Sequence, residues 1–215
     1  MKRMFFLRVV VNAAIALMAF VSWGRMFVGE DGVLVSRGFG SLKYFTVLSN
    51  LFAGGMAVVW LVFAVCRRRM PRTAVVLKFA AAASVGLTFF TVMVFLGPTM
   101  GYGKMFAGVS LYMHLIVPLA AAAEWIWLVP ERMSFRESMW TVVPMLFYGA
   151  FYLGNVLVNG PGTFPRVNDW YGFARWGMPV ALVIFAALAL ATWGIALLLR
   201  RGQARIHESK EGENR

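Results

Sequence analysis

The stretch "FTVLSNLFAGGMAVVWLVFAVCRRRMPR" (Phe45–Arg72) decides the fold. Its first 22 residues, Phe45–Cys66, hold no charged side chain, and the six that follow hold four arginines. At about 1.5 Å of rise per residue, such a block covers a hydrocarbon core of about 30 Å. The pattern is a membrane-spanning helix that stops at a basic turn.

Five further blocks of the same kind flank it: Phe5–Trp23, Ala74–Leu96, Leu111–Val129, Met139–Val158 and Trp176–Leu199. The 215 residues are 60% hydrophobic and 14% charged, with mean hydropathy +0.72. A soluble globular chain carries about 25% charged residues. The expected fold class is therefore all-α: a polytopic membrane protein of six transmembrane helices. Residues 1–200 form one membrane domain, and 201–215 form a polar tail expected to be disordered.

The net charge of +12 would fit a nucleic-acid partner, but its distribution does not. With both termini on one side, fifteen Lys and Arg residues fall on that side and six on the other. This is the positive-inside bias, so both termini are expected in the cytoplasm. Basic side chains there also attract anionic headgroups. No basic patch sits on an element able to reach a groove, so no nucleic acid is expected.

The basic start and apolar core of residues 1–24 resemble a secretory leader. The run is long enough to span, and no convincing small-x-small cleavage motif precedes Trp23. A retained first helix is the expectation. Cys66 is the single cysteine, and His114 and His207 are the two histidines. That count excludes an intrachain disulfide and four-ligand Cys/His zinc sites. No metal or cofactor is expected.

The loops alternate in character. Those after the first, third and fifth helices are rich in glycine and aromatic residues; the first of them has the length to fold over the outer mouth. Trp23, Trp170, Tyr171 and Trp176 mark the outer boundary, and Trp127 and Trp140 the inner one, as interfacial anchors do. Ser134 stands three residues before Glu137, the spacing of a capping box that opens the fifth helix.

Polar side chains inside a bilayer need partners, so each one asks for an explanation. Thr46 and Asn50, four residues apart, share a face of the second helix, with Ser49 about 60° from Thr46. On residue type alone they read as packing glue between helices. His114 lies four residues before Pro118, which has no N–H to offer the His114 carbonyl, so the fourth helix should kink there. A histidine at such a place serves as base, proton relay or ligand, or as a structural hydrogen bond. Thr46 and His114 both fall within about one turn of the outer boundary and can meet. Glu124 lies about 15 Å deeper and cannot orient His114; it is either protonated or paired with a basic residue near the cytoplasmic side, and a structural role with Trp127 and an inner arginine is expected. Ser84, Thr88 and Thr91 form one polar stripe, and Tyr148, Tyr152 and Asn155 another, with Asn12 on the first helix.

The segments "YFTVLSNL", "MHLIVPLAAAAEWIW" and "DWYGFARWG", in this order in a six-helix chain, resemble the androgen-induced, ADTRP-type membrane proteins and their bacterial Pr6Pr-type relatives. The resemblance spans about Arg8 to Leu199. It implies a catalytic threonine and histidine, matching Thr46 and His114, and hydrolysis of fatty-acid esters in a bacterial cytoplasmic membrane. Lipids are then the expected partners. A threonine hydroxyl needs an adjacent base to act at neutral pH, and His114 would supply it. Asn50, Asn155 and Tyr152 are candidate donors to the substrate or its oxyanion. Arg175 stands where an orienting acid would be sought, with Asp169 a few residues earlier. The competing expectation is a lipid-binding or small-molecule transport protein of the same fold, without catalysis.

Overall fold

In a computed structural model the described residues are 2–28, 37–163 and 166–213. Six helices among them are long and apolar enough to cross a membrane. We number them α1 (Lys2–Val28), α2 (Phe45–Val65), α3 (Arg72–Met100), α4 (Val109–Leu128), α5 (Phe135–Asn159) and α6 (Met178–Glu213). Each contains the apolar block that predicted it, apart from a residue or two at the ends. The middle of the first long loop, residues 29–36, expected to fold over the mouth, lies outside the described residues.

The start of α1 and the end of α6 lie at one end of the bundle, here the terminal face. The α1–α2, α3–α4 and α5–α6 connections make the opposite, loop face. A two-residue antiparallel ladder, Gly162–Thr163 with Arg166–Val167, tightens the last of these connections.

The helix α3 is the hub. Some 56% of its most apolar window is buried, against 28% for α1 and for α6. Its alanine run, Ala80 to Ala83, lets neighbours approach closely, and Phe79 stacks on Trp125 of α4 at 4.4 Å. Small residues serve the α1–α2 contact too, where a Cβ on Gly54 would lie 2.8 Å from that of Ala19. Such close backbone approach is the usual basis of helix association in lipid. At the terminal face, Ser134 and Glu137 form the expected capping box, and Arg72 reaches Glu137 at 2.6 Å.

One feature gives an expectation its local form, and another departs from expectation. At Pro118 the helix widens into a π-turn, Tyr112–Ile116, where Val117 N–H donates to the Tyr112 carbonyl. The wider turn accommodates the missing proline N–H without breaking the helix. The polar tail is helical through Glu213 instead of disordered. Val129, extended before Pro130, ends α4 and leaves carbonyls without helical donors. Gln203 Nε2 donates to the Val129 carbonyl at 2.9 Å and the Glu131 carbonyl at 3.2 Å, and Arg200 Nε to the Met133 carbonyl at 2.9 Å. Gln203 is the tail residue that supplies donors to the end of α4.

Candidate functional site

Three polar clusters sit among the helices. One, in the loop-face half of the bundle, contains Thr46, Ser49, Asn50, Thr88 and His114. The α3–α4 connection reverses through a short turn, Tyr102–Met105, between Gly101 (φ +91°) and Gly108 (φ +52°), both in a region that favours glycine. That turn buries Met105 and aims its carbonyl at His114 Nδ1, 2.8 Å away. A carbonyl only accepts, so Nδ1 carries the proton and donates. In the neutral ring the lone pair is then on Nε2.

Thr46 stands in the first turn of α2. Its helical position falls between Ser49 and Asn50, at about 60° and 40° on either side. Ser49 Oγ shares a hydrogen bond with Thr88 Oγ1 of α3 at 3.0 Å. Asn50 Nδ2 donates to the Met113 carbonyl of α4 at 3.1 Å. Thr46 is half-buried on the α2 face between these two contacts, one turn, about 6 Å, nearer the loop face than Asn50. Other hydroxyls of these helices bond back one turn, as Ser84 does to Ala80 and Thr91 to Leu87. Among the described residues, Thr46 Oγ1 makes no hydrogen bond, while its carbonyl accepts from Asn50 at 2.8 Å and Ser49 at 3.1 Å.

Asn50 is fully buried, and its two N–H groups are taken by the Thr46 and Met113 carbonyls. It clamps α2 to α4 and has no donor left for an oxyanion. Its Oδ1 is buried and without a partner among the described residues. A buried acceptor in that state is a place for a water or a hydroxyl-bearing ligand.

The second cluster fixes the loop face above. Tyr152, fully buried, donates its hydroxyl to Asp169, whose other oxygen accepts from Ala174 N–H at 3.0 Å. Tyr152 is thus committed to the α5–α6 connection rather than to a substrate. Asp169 orients that connection and not His114, whose partner is the Met105 carbonyl. Tyr171 Oη accepts from Phe45 N–H at 3.0 Å and so caps the turn that carries Thr46. Burial pushes the Tyr171 hydroxyl up to about 12, so it stays a neutral phenol. Asn155 accepts from Asn159 at 3.0 Å on the exposed rim. Arg175, sought as an acid position, stacks over Trp176 at 3.7 Å.

The third cluster lies toward the terminal face. Glu124 is buried between Arg8 Nε at 3.3 Å and Lys78 Nζ at 2.9 Å, and accepts from Asn12 Nδ2 at 2.7 Å. Lys78 also donates to Asn12 Oδ1 at 2.6 Å. The expected inner arginine is Arg8; Trp127 is exposed instead, and Trp125 takes the buried place. Lys78, counted from sequence as a boundary charge, is the partner that reasoning missed. A basic residue six positions into an apolar helix, with an acid on another helix, was the available signal. Among the described residues no group of three His, Cys, Asp or Glu side chains is placed to hold a metal.

Comparison with family models, with curated proteins and with solved structures returned no match for this chain.

Proposed function

We propose that the chain is a membrane-embedded hydrolase of lipid (fatty-acid) esters, with Thr46 as nucleophile and His114 as base. The observation that carries this reading is the Nδ1–H of His114 held on the Met105 carbonyl. It leaves the Nε2 lone pair of this buried histidine to act as base, in the same half of the bundle as Thr46, whose hydroxyl makes no hydrogen bond among the described residues. The basic residues favour cytoplasmic termini, which puts the site in the outer half of a bacterial cytoplasmic membrane.

The chemistry proceeds in two halves. His114 Nε2 takes the Thr46 proton as Oγ1 attacks the ester carbonyl. Collapse of the tetrahedral adduct breaks the bond to the leaving alcohol, which receives that proton from His114. The acyl-threonine is then attacked by water, again with His114 as base, and fatty acid leaves as Thr46 regains its proton. The Met105 carbonyl holds the ring in orientation and stabilises its transient cation.

Purified protein supplied with fatty-acid esters should release acid. Thr46→Ala should reduce release to background, and His114→Ala should lower it about 10²–10⁴-fold, the usual worth of a positioned base. Both variants should keep the wild-type elution volume, with His114→Ala losing some thermal stability along with its bond to the Met105 carbonyl. Unchanged turnover in either folded variant rejects the dyad. Folded protein that binds esters without hydrolysing them favours the non-catalytic lipid-binding reading.

A further inference from the structure

An open groove of about 360 Å³ lies between α2 and α5; it reaches Ser49 of the first cluster, while Thr46 and His114 are not among its lining. Its walls include Phe45, Leu48 and Phe52 of α2 and Phe147, Tyr148 and Phe151 of α5. Along α2 these residues extend for about 10 Å, within the membrane-spanning part of both helices. The Phe45 and Tyr148 rings meet at 5.2 Å where the two walls join, and Ser49 and Ser84 lie at the floor. Both floor hydroxyls are already bonded, Ser84 to the Ala80 carbonyl and Ser49 to Thr88 and Thr46, so they offer an apolar chain no unpaired donor. A volume at the low end of the small-ligand range suits one chain rather than two.

One end of the groove has a charge. Tyr148, on its wall, donates to the Lys43 carbonyl at 2.7 Å and accepts from Trp170 Nε1 at 3.0 Å. The Lys43 ammonium lies 5.3 Å from the Tyr44 ring and 5.8 Å from the Trp170 ring. Among the described residues it has no carboxylate partner. Lys43 is thus held beside Tyr148 at the loop-face end of the groove, by its carbonyl and by the Trp170 ring that Tyr148 also bonds.

We propose that this groove binds a single-chain anionic amphiphile, its chain between α2 and α5 and its carboxylate or phosphate on Lys43. The site goes beyond the hydrolase reading and does not depend on Thr46 being a nucleophile. The shared chemistry is one acyl chain and one anionic head. A fatty-acid anion and a lysophosphatidate both meet it, and a monoacylglycerol lacks the charge.

The test is equilibrium binding of tritiated palmitate to the purified full chain in nanodiscs of neutral phospholipid. Lysophosphatidate and monopalmitoylglycerol serve as competitors. Leu48→Trp, at an exposed groove wall, should weaken palmitate binding at least tenfold by filling the slot. Lys43→Gln should weaken palmitate about fivefold, the worth of one interfacial basic residue, and leave monopalmitoylglycerol unchanged. Lys43→Arg should restore binding. The stronger of the two anionic ligands identifies the head. A diazirine-bearing fatty acid should crosslink to 45–52 and 144–151, whatever the variants' expression. Labelling elsewhere, unchanged binding in Leu48→Trp, or equal loss of charged and neutral ligands in Lys43→Gln would overturn the proposal. Because no readout is turnover, its failure is distinct from failure of the dyad.

Discussion

Among single residues, Glu124 makes the heaviest demand on its surroundings. An isolated carboxylate at its depth would be costly, and Arg8, Lys78 and Asn12 supply the compensation. Removing one member of such a set leaves the others buried and unpaired, which costs about 3–5 kcal/mol. We expect Glu124→Gln to destabilise on that scale, read from unfolding in mixed detergent and SDS micelles. The joint variant Glu124→Leu with Lys78→Met should lose less than the two single changes added together. A single-variant loss under about 0.5 kcal/mol would show that the network is not holding the helices. Sequence reasoning reached Glu124 and an inner arginine, because charge inside an apolar run is conspicuous. It missed Lys78, because rotation about a helix axis is not written in hydropathy. The same blindness applied to Asn50 and Tyr152, offered as substrate donors and found spending their hydrogens on the Thr46 and Met113 carbonyls and on Asp169. His114 is oriented by a main-chain carbonyl, which no side-chain pattern announces.

At the scale of the element, α4 shows how a local rule became a different local structure. Pro118 foretold a disturbance at His114, and a π-turn from Tyr112 to Ile116 is what forms. A second π-turn, Glu124–Leu128, starts at the other buried ionisable residue of the helix. Span number and span ends were legible because each helix must offer about 20 apolar residues to lipid. Helix pairing was not, since it depends on where small residues let backbones approach. Adjacent glycines in α2 make that a controlled test. A Cβ on Gly54 would press on Ala19 at 2.8 Å and the Phe20 ring at 3.4 Å, whereas one on Gly55 meets nothing within 4 Å. Gly54→Val should cost about 1–3 kcal/mol by overpacking the α1–α2 contact. Gly55→Ala should be neutral or stabilise by up to about 1 kcal/mol through helix propensity. Thermal midpoints of the two purified variants decide it, and equal midpoints would remove α1–α2 packing from the account of stability.

At the scale of the whole molecule, the charge bias is the argument for orientation, and the structure alters which charges enter it. Arg8 and Lys78 are engaged with Glu124, so their place is explained by that ion pair and not by the cytoplasm. Thirteen basic residues then remain on the terminal side against six on the loop side. The sign holds, and cytoplasmic termini remain the expectation. The chain holds its own reporter: Cys66, its single cysteine, is exposed at the end of α2 on the terminal face. A membrane-impermeant maleimide should leave Cys66 unlabelled in intact cells and label it in inverted vesicles. In a Cys66→Ser background, Gly103→Cys on the loop face, where a Cβ meets nothing within 4 Å, should show the reverse pattern. Labelling of Cys66 from outside intact cells would invert the topology. It would also move His114, Thr46 and the Lys43 end of the groove to the inner leaflet, where any lipid substrate would have to come from the cytoplasmic side.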